Sequence, residues 1–269
     1  MGQWRWTGLT WNGADLENAP NLEVTEDVFL GDQLTIRQPS KGYRAGIDAV
    51  LLAATARVGE GPILDVGAGV GTVGLCAAAR CKDVSVVLVE REAEIAALAR
   101  ANVAANGLSS RVSVVEADIG EPLSTAVLLA LQPDSFAHVL ANPPFHDDGA
   151  GTPSASFFRN LSHSMAADAL ETWLRFMARM TAPGGRATMI HKADAVPRIL
   201  KGYENRFGAI TILPIYPREG APAIRVIVDG IKGSRAPLVI KPGLILHGDG
   251  NAFRSDVDAI LRQGAALSV

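Results

Sequence analysis

The residues with the clearest chemical character are Asn142-Pro143-Pro144-Phe145, which follow the apolar run 136–141. Two consecutive prolines cannot continue the hydrogen bonding of a strand, and they force extended geometry on the residue before them. The stretch therefore predicts a stiff strand end that presents an amide, the carbonyl of Pro143 and an aromatic ring. Such a set can hold a planar group bearing an NH2, with two acceptors for its hydrogens and a ring against its face. Taken alone, the four residues fit a proline-rich turn equally well.

A second chemical feature lies at residues 62–80, where an apolar strand, a glycine-rich turn and a small-residue helix follow one another. Glycines at such a turn let the backbone approach a ligand closely, and the helix N-terminus presents free N–H groups. Asp65 stands at the end of the strand, where a carboxylate repels phosphate and attracts a cation. The stretch therefore favours a ligand with a positively charged portion over NAD or ATP.

Two further acids end strand-like runs that come after the glycine turn. Glu90 lies about 20 residues after the glycines, where an acid binds a pair of ribose hydroxyls in folds of this kind. Asp118 follows the run 111–117, and an acid there can accept a hydrogen bond from the exocyclic amine of an adenine. A helix or turn cap is an equally good role for Asp118 taken alone.

Two helices flank these features in the sequence. Asp48 precedes a helix predicted over residues 49–56, and we interpret it as the N-cap. The alternative is that Asp48 and the loop before it line a ligand pocket. The second helix is predicted over residues 168–180, where Trp173 recurs with other apolar residues at helical spacing and is interpreted as core. Before it, the Gly/Ser/Thr/Pro-rich stretch 149–156 predicts a mobile loop, and the loop 150–164 is a candidate substrate lid.

The order of elements predicts an α/β fold. Strands alternate with helices from residue 62 to about residue 200, which implies right-handed crossovers and a Rossmann-like, doubly wound parallel sheet. The last two strands, 210–216 and 224–229, are joined by a link too short for a helix, so they must be antiparallel. The prediction is a seven-stranded sheet ending in an antiparallel hairpin. Its crevice should lie at the carboxyl ends of the first and fourth strands, where the glycine turn and Asn142 meet.

Composition sets the remaining expectations. With 269 residues, 48% hydrophobic and 20% charged, the chain fits one large domain: we expect a partly flexible leader over residues 1–33 and a single domain over 34–269 with an N-terminal β extension and a C-terminal helix. The two cysteines form no CxxC motif, so we expect no metal site and a reducing, cytoplasmic location. We also expect no secretory signal and no membrane span.

From residue 36 to residue 230 the chain resembles class I S-adenosylmethionine-dependent methyltransferases. Asp65-Val-Gly67-Ala-Gly69-Val-Gly71 matches their first motif, and Asn142-Pro143-Pro144-Phe145 matches the (N/D)PP(Y/F) motif of members that methylate amino groups. The closer resemblance is to the bacterial tRNA1(Val) adenine-N6 methyltransferase family, on Gln38-Pro39, residues 42–53 and residues 244–247. It implies S-adenosylmethionine as cofactor, tRNA as partner and methylation of N6 of an adenine.

The resemblance also implies which residues form the site. The implied catalytic residues are Asn142, Pro143, Pro144 and Phe145. The implied cofactor-binding residues are Arg44, Asp48, Asp65, Gly67, Ala68, Gly69, Gly71, Glu90, Arg91, Asp118, Ile119 and Asn142.

Other substrates remain open at this stage. Asn142 to Asp147 also resembles the rRNA guanine-N2 methyltransferases. Protein glutamine methyltransferases carry a similar motif, usually with Tyr in the position of Phe145, and a small-molecule methyltransferase is a further alternative. A non-catalytic protein that binds S-adenosylmethionine or RNA is less favoured, because Asn142 and Asp65 are both intact.

The mechanism expected from these residues needs no histidine base. The Asn142 side-chain oxygen and the Pro143 carbonyl would accept the two amine hydrogens, and Phe145 would stack on an extruded base. His138 is expected to be buried in its strand, and His146, His163 and His191 to be rim or structural residues.

RNA needs a positive surface, which the net charge of −3 does not supply. Residues 181–241 hold ten basic against four acidic residues. Together with Arg37, Lys41 and Arg44, they predict a basic rim around the crevice, with an ordinary solvated face as the alternative. The ten basic residues are Arg186, Lys192, Arg198, Lys201, Arg206, Arg218, Arg225, Lys232, Arg235 and Lys241.

Overall fold

A computed structural model of the chain describes residues 23–42, 44–144 and 167–269. Most of the predicted leader, Phe145 with His146 and His163, and the predicted lid within 150–164 lie outside the described residues. In the described part, an open β-sheet lies between two layers of helices, and a separate two-stranded hairpin packs beside it.

The elements follow the order that the sequence predicts. The strands are β1 (Val24–Phe29), β2 (Leu34–Pro39), β3 (Ile63–Val66), β4 (Val86–Glu90), β5 (Val112–Glu116), β6 (Phe136–Ala141), β7 (Thr181–Lys192), β8 (Phe207–Tyr216), β9 (Arg225–Lys232), β10 (Val239–Ile240) and β11 (Leu244–Ile245). The helices are α1 (Ile47–Ala53), α2 (Thr72–Arg80), α3 (Ala93–Ala105), α4 (Thr125–Ala130), α5 (Ala167–Met180), α6 (Val196–Tyr203) and α7 (Ser255–Gln263).

The main sheet confirms the doubly wound topology. Its strand order is β10-β8-β9-β7-β6-β3-β4-β5, with β11 also paired to β8. The strands from β7 to β5 in this order pair in parallel, whereas β9 is antiparallel to both β7 and β8. The predicted count of seven strands was too low, because the described sheet has nine. The two extra strands, β10 and β11, have two residues each, which is too short for an alternating pattern to reveal.

The sheet places the crevice at β3 and β6. The chain leaves β3 towards β4 and β5, then returns to form β6 on the other side of β3. Loops that follow the carboxyl ends of β3 and β6 therefore diverge, and a ligand crevice opens between them. β3 is buried on both faces: Ile63 enters one core, and Leu64 and Val66 enter the other. A continuous apolar run is typical of such a central parallel strand.

The hairpin of β1 and β2 is fixed to α3 by two asparagines. The Asn102 side chain donates to the Arg37 carbonyl over 2.9 Å and accepts from the Arg37 N–H over 2.9 Å. Asn106 makes the same pair of bonds with Thr35, at 2.8 and 3.0 Å. β1 lies within the interval predicted as a leader, and it pairs along its whole length with β2. The division into a leader and a single domain remains a prediction.

Candidate active site

The turn between β3 and α2 depends on glycine at specific positions. Gly67 and Gly69 have φ of 61° and 57°, in the left-handed region that side chains rarely adopt. A Cβ on Gly67 would also lie 2.0 Å from the indole ring of Trp173. Gly71, with φ of 92°, is the N-cap of α2, and a Cβ there would meet Leu88. The chain therefore comes close to Trp173 at the start of the turn and to the core at its end.

A cavity of about 430 Å³ opens beside this turn, within the usual size range of small-molecule sites. Nine of the twelve residues expected to bind the cofactor line it: Asp65, Gly67, Ala68, Gly69, Glu90, Arg91, Asp118, Ile119 and Asn142. Pro144 lines it too, and Pro143 is buried next to Pro144. The strand end of β6 and the glycine turn thus share one cavity.

Asp65 is a buried acid in the wall of this cavity. Only 1% of the residue is exposed, and its Oδ2 accepts a hydrogen bond of 2.8 Å from the Gly74 N–H. Burial raises the pKa of Asp65 to about 7, against the opposing effect of that hydrogen bond, and the charge of Glu90 raises it further. The site therefore contains a carboxyl group whose negative charge a cationic ligand would stabilise.

Glu90 accepts three backbone hydrogen bonds. Its Oε2 accepts from the Gly69 N–H, and its Oε1 accepts from the Arg91 and Glu92 N–H groups, each over 2.9 Å. Burial raises the pKa of Glu90, and the three backbone bonds partly oppose this rise. Because a carboxylate has about four lone-pair sites, one remains on Oε2 for a hydroxyl of a ligand. The bonds also join the end of β4 to the glycine turn.

Asp118 lies at the outer end of the same cavity. Its Oδ1 accepts a bond of 2.8 Å from the Gly120 N–H, and its Oδ2 lies 3.8 Å from the Arg91 guanidinium. The side chain is 42% exposed, so it meets both the cavity and solvent. Asp118 therefore performs the turn-capping role and retains acceptor capacity towards the cavity.

Thr72, which the motif reading did not select, also lines the cavity. Its Oγ1 is buried and has no hydrogen-bond partner within the described residues. The same cavity wall contains the buried carboxyl group of Asp65. A buried hydroxyl without a hydrogen-bond partner in such a wall indicates room for a polar group of a ligand. The three carboxyl groups and the Thr72 hydroxyl therefore fit S-adenosylmethionine, which carries hydroxyls, a carboxylate and two positive groups.

Three expected cofactor residues lie outside the cavity wall: Gly71, Arg44 and Asp48. Arg44 donates to Thr25 over 2.7 Å and forms an ion pair with Asp27. Asp48 pairs with Arg225 over 2.8 Å. The N-cap interpretation of Asp48 was wrong, because α1 begins at Ile47, two residues earlier than predicted, with Gly46 as N-cap. The sequence reading did not allow for this distant arginine, which engages the Asp48 carboxylate.

Asn102 is a positioning residue that motif reasoning missed. Besides holding β2, it donates to the Val70 carbonyl of the glycine turn over 3.0 Å. β2 in turn carries Gln38 and Pro39 to the cavity wall, where the buried Gln38 side chain bonds Asp27 and the Ala45 N–H. The signal in the sequence that could have identified it is an Asn at a position where the helical spacing of α3 predicts an apolar residue.

The prediction for Trp173 is confirmed, and the structure adds a second role. It was assigned to the core, and it does pack there, but its ring also lines the cavity between the glycine turn and Asn142. Helical periodicity could not separate these roles, because a residue at the end of a buried stripe can face a core and a cavity together. The histidine prediction is confirmed for His138, which is fully buried, and His191 is 8% exposed.

The structure also corrects the prediction of a basic rim around the crevice. Arg186 is 4% exposed and pairs with Glu60 and Asp229 in the interior. Arg37 pairs with Glu26 and Arg225 with Asp48, so much of the positive charge beside the crevice is neutralised. Lys201, Arg206, Lys232 and Arg235 lie near the opposite edge of the sheet, where β8 begins and β9 ends.

Comparisons with known proteins identify methyltransferases that are similar to this chain. Residues 46–171 match the family model for the methyltransferase small domain. A tRNA1(Val) (adenine(37)-N6)-methyltransferase of Bacteroides thetaiotaomicron is 30% identical over 173 residues, which cover 64% of this chain and 69% of that protein. A protein of the same name from Shewanella amazonensis is 36% identical over 109 residues, 40% of this chain and 44% of that protein.

A solved structure is similar over a longer stretch. It is an Agrobacterium tumefaciens protein described as a predicted O-methyltransferase, with 32% identity and a TM-score of 0.68. The match covers 82% of this chain and 99% of that chain.

Among the described helices, none is both long and apolar enough to cross a membrane. Within residues 23–42, 44–144 and 167–269, no three His, Cys, Asp or Glu side chains are grouped so that they could hold a metal ion.

Proposed function

The chain belongs to the class I S-adenosylmethionine-dependent methyltransferases, and from this premise we propose that it methylates N6 of an adenine in tRNA. The observation that carries the proposal is the strand end Asn142-Pro143-Pro144 in one cavity with Asp65 and the glycine turn. The names of the two tRNA methyltransferase relatives support the choice of base and of nucleic acid.

The cavity residues divide into three groups by chemistry. Asp65 and Thr72 would hold the amino-acid portion of S-adenosylmethionine, Glu90 its ribose hydroxyls, and Asp118 with Ile119 its adenine. When bound, the cofactor supplies a methyl group on a positively charged sulfonium, which is a strong electrophile. The protein therefore needs mainly to orient an amine, exclude water and stabilise positive charge.

The acceptors at the end of β6 suit an amine in particular. The lone pair of an exocyclic base amine is shared with its ring, so the amine is a weak nucleophile. Hydrogen bonds from its two hydrogens to the Asn142 side-chain oxygen and the Pro143 carbonyl would favour a tetrahedral nitrogen and stabilise its developing charge. A hydroxyl has one hydrogen and would use only one of these acceptors. Phe145 as the stacking ring remains part of the proposal.

The proposal assigns no general base. His138 lies 2.6 Å from Thr188 and 3.3 Å from Glu60 inside the sheet, away from the cavity lining. His191 accepts a bond from the Lys192 N–H, and burial together with the charge of Arg198 lowers its pKa to about 4. A neutral, buried imidazole that already accepts a hydrogen bond has little capacity to remove a proton.

A tRNA substrate also suggests where the protein acts. We propose a cytoplasmic location, which suits a tRNA substrate and the buried free thiols of Cys76 and Cys81. The main alternative is methylation of N2 of guanine in rRNA, because that base presents an NH2 of the same shape. A glutamine side chain of a protein and a small molecule are further alternatives with the same acceptor chemistry.

The acceptor role is tested with Asn142→Ala and Asn142→Asp. We expect the alanine variant to lose about 10²- to 10³-fold in kcat, because one acceptor for the amine is removed. The aspartate variant keeps an acceptor oxygen and should retain substantial activity, so it is the matched control. Both should bind S-adenosylmethionine with nearly normal affinity by calorimetry. Near-normal turnover of Asn142→Ala would exclude the mechanism.

The substrate is tested with tritiated S-adenosylmethionine on undermodified tRNA, rRNA and protein pools. Mass identification of the labelled product follows. The expected product is N6-methyladenosine in tRNA. N2-methylguanosine would instead establish the rRNA-type alternative, and label in protein would establish the glutamine alternative.

A further inference from the structure

A second concave surface lies at the edge of the sheet opposite the cavity. It is an open groove of about 820 Å³ between the end of α6, the start of β8 and the residues after β9. Lys201, Arg206 and Arg235 line it, together with Phe207 and Leu238. β9 runs from Arg225, which pairs with Asp48 on the crevice side, to Lys232 beside the groove, so the two surfaces lie towards opposite ends of that strand.

The surroundings of the groove carry an excess of positive charge. α5 turns Arg175 and Arg179 to solvent on one face, four residues apart, and ends beside the groove. With Lys201, Arg206, Lys232 and Arg235 they make six cations, against three carboxylates at Asp134, Glu171 and Glu204. The excess is three positive charges on a chain whose formal net charge is −3.

The pKa of Glu171 reflects the positive charges around the groove. The hydrogen bond from Arg206 lowers the pKa of Glu171, burial opposes this shift, and the charges of Arg206, Arg175 and Lys201 lower the pKa further. Arg206 and Lys232 are engaged with Glu171 and Asp134 respectively. Arg179, Lys201 and Arg235 have no ion pair within the described residues, so their charges are available to a partner.

The crevice side differs from the groove. There, ion pairs join Arg37 to Glu26, Arg44 to Asp27 and Arg225 to Asp48. α5 connects the two sides: Thr172 and Trp173 in its first half line the cavity, and its last turn reaches the far edge, where Thr181 pairs with the first residue of β6. A polyanion whose one part enters the cavity can therefore follow α5 to the groove.

We propose that the groove and the exposed face of α5 bind the phosphate backbone of the RNA substrate, outside the cavity in which the base is methylated. This inference rests on the proposed function. Phosphates suit the surface because an RNA backbone repeats its negative charge at every nucleotide, and the surface spreads its cations along a helix and a groove instead of gathering them in one pocket. The groove supplies affinity and orientation, and the cavity supplies the chemistry.

The test is the triple variant Arg179→Ala/Lys201→Ala/Arg235→Ala. We expect its affinity for tRNA to fall at least tenfold at moderate salt, and the slope of log K against log salt to decrease by about one to three. KM for tRNA should rise while kcat at saturating tRNA stays the same. S-adenosylmethionine affinity and the thermal midpoint should equal those of the wild type.

The matched control is Lys82→Ala/Arg100→Ala/Arg262→Ala, which removes three exposed positive charges elsewhere on the surface. Its tRNA affinity should change less than threefold. Equal losses in both triples, or unchanged affinity and salt slope in the groove triple, would overturn the inference and leave the surface to another partner, such as an acidic protein. If the wild type binds RNA but labels no tRNA, the proposed function fails, and the binding comparison still decides the groove.

Discussion

The pKa values of two carboxyl groups near opposite ends of β3 are shifted in opposite directions. Glu60, before the strand, is partly exposed at 15% of its side chain, and Asp65, near the end of the strand, is 1% exposed. Burial alone would raise the pKa of Glu60, but the hydrogen bond and charge of His138 and the charge of Arg186 lower it to about 2. Burial raises the pKa of Asp65 to about 7, since only a backbone N–H opposes it.

The difference lies in the partners of the two acids. Glu60 belongs to an internal network in which Arg186 bridges Glu60 and Asp229, and Thr188 joins Asp229 to His138. Asp65 and Glu90 receive hydrogen bonds from the backbone but no ion pair from the described side chains. An incompletely compensated acid is costly to bury, so its persistence in a cavity indicates a site kept for a cationic ligand.

The largest effect is expected from Arg186→Ala, which removes the ion pairs of Glu60 and Asp229. The variant leaves Glu60 and Asp229 without their shared cation in the interior. We expect the free energy of unfolding to fall by about 3–5 kcal/mol, which denaturant titration measures. Arg100→Ala, which removes a surface arginine 3.7 Å from Glu116, is the control and should cost less than about 1 kcal/mol. Similar losses in both variants would show that the internal network contributes no special stability.

The cost of burying Asp65 without an ion pair is tested by the variant Asp65→Asn in the absence of ligand. The folded pKa of Asp65 exceeds its unfolded value of 3.8, so its contribution to stability is complete below about pH 4 and is lost as the pH rises through about 7. Asparagine keeps an acceptor for the Gly74 N–H and has no charge to bury. We therefore expect the variant to gain stability over the wild type between pH 5 and pH 8, by up to roughly 4 kcal/mol.

The same variant should lose affinity for S-adenosylmethionine, because the charge that stabilises the cationic ligand is gone. Unfolding by denaturant at pH 5 and pH 8, and calorimetry at pH 8, measure the two effects. Parallel pH profiles for the variant and the wild type would contradict the assignment of Asp65 as the uncompensated acid.

The smallest effect is expected at Trp173, whose ring lines the same cavity as Asp65. The face of an indole ring attracts a cation, so Trp173 and Asp65 would both favour a positively charged ligand. We expect Trp173→Leu to weaken binding of S-adenosylmethionine by about 0.5–2 kcal/mol more than binding of S-adenosylhomocysteine, the neutral thioether. Trp173→Phe keeps an aromatic face and should retain part of the discrimination. Equal losses for both ligands, measured by calorimetry, would reduce Trp173 to a packing role.

Local patterns predicted the site where chemistry follows a strand end directly. A few neighbouring residues are enough to recognise the glycines after β3, the acid at the end of β4 and the prolines after β6. The parallel topology then follows from alternating strands and helices, because only one hand of crossover is common. The ion pairs of Arg44 and Asp48 and the contact of Trp173 with the glycine turn could not be predicted, because their partners, Asp27, Arg225 and Gly67, lie far along the chain or on another element.

The sequence by itself determined the fold class, the cavity and the kind of nitrogen that its end of β6 can hold, because turn chemistry and strand order are encoded locally. Only the tertiary structure decided which charges remain available. Ion pairs form between residues such as Asp48 and Arg225, or Glu60 and Arg186, that no local pattern relates. Counting basic residues predicted a positive rim at the crevice, whereas pairing across the fold leaves the excess at the opposite edge of the sheet.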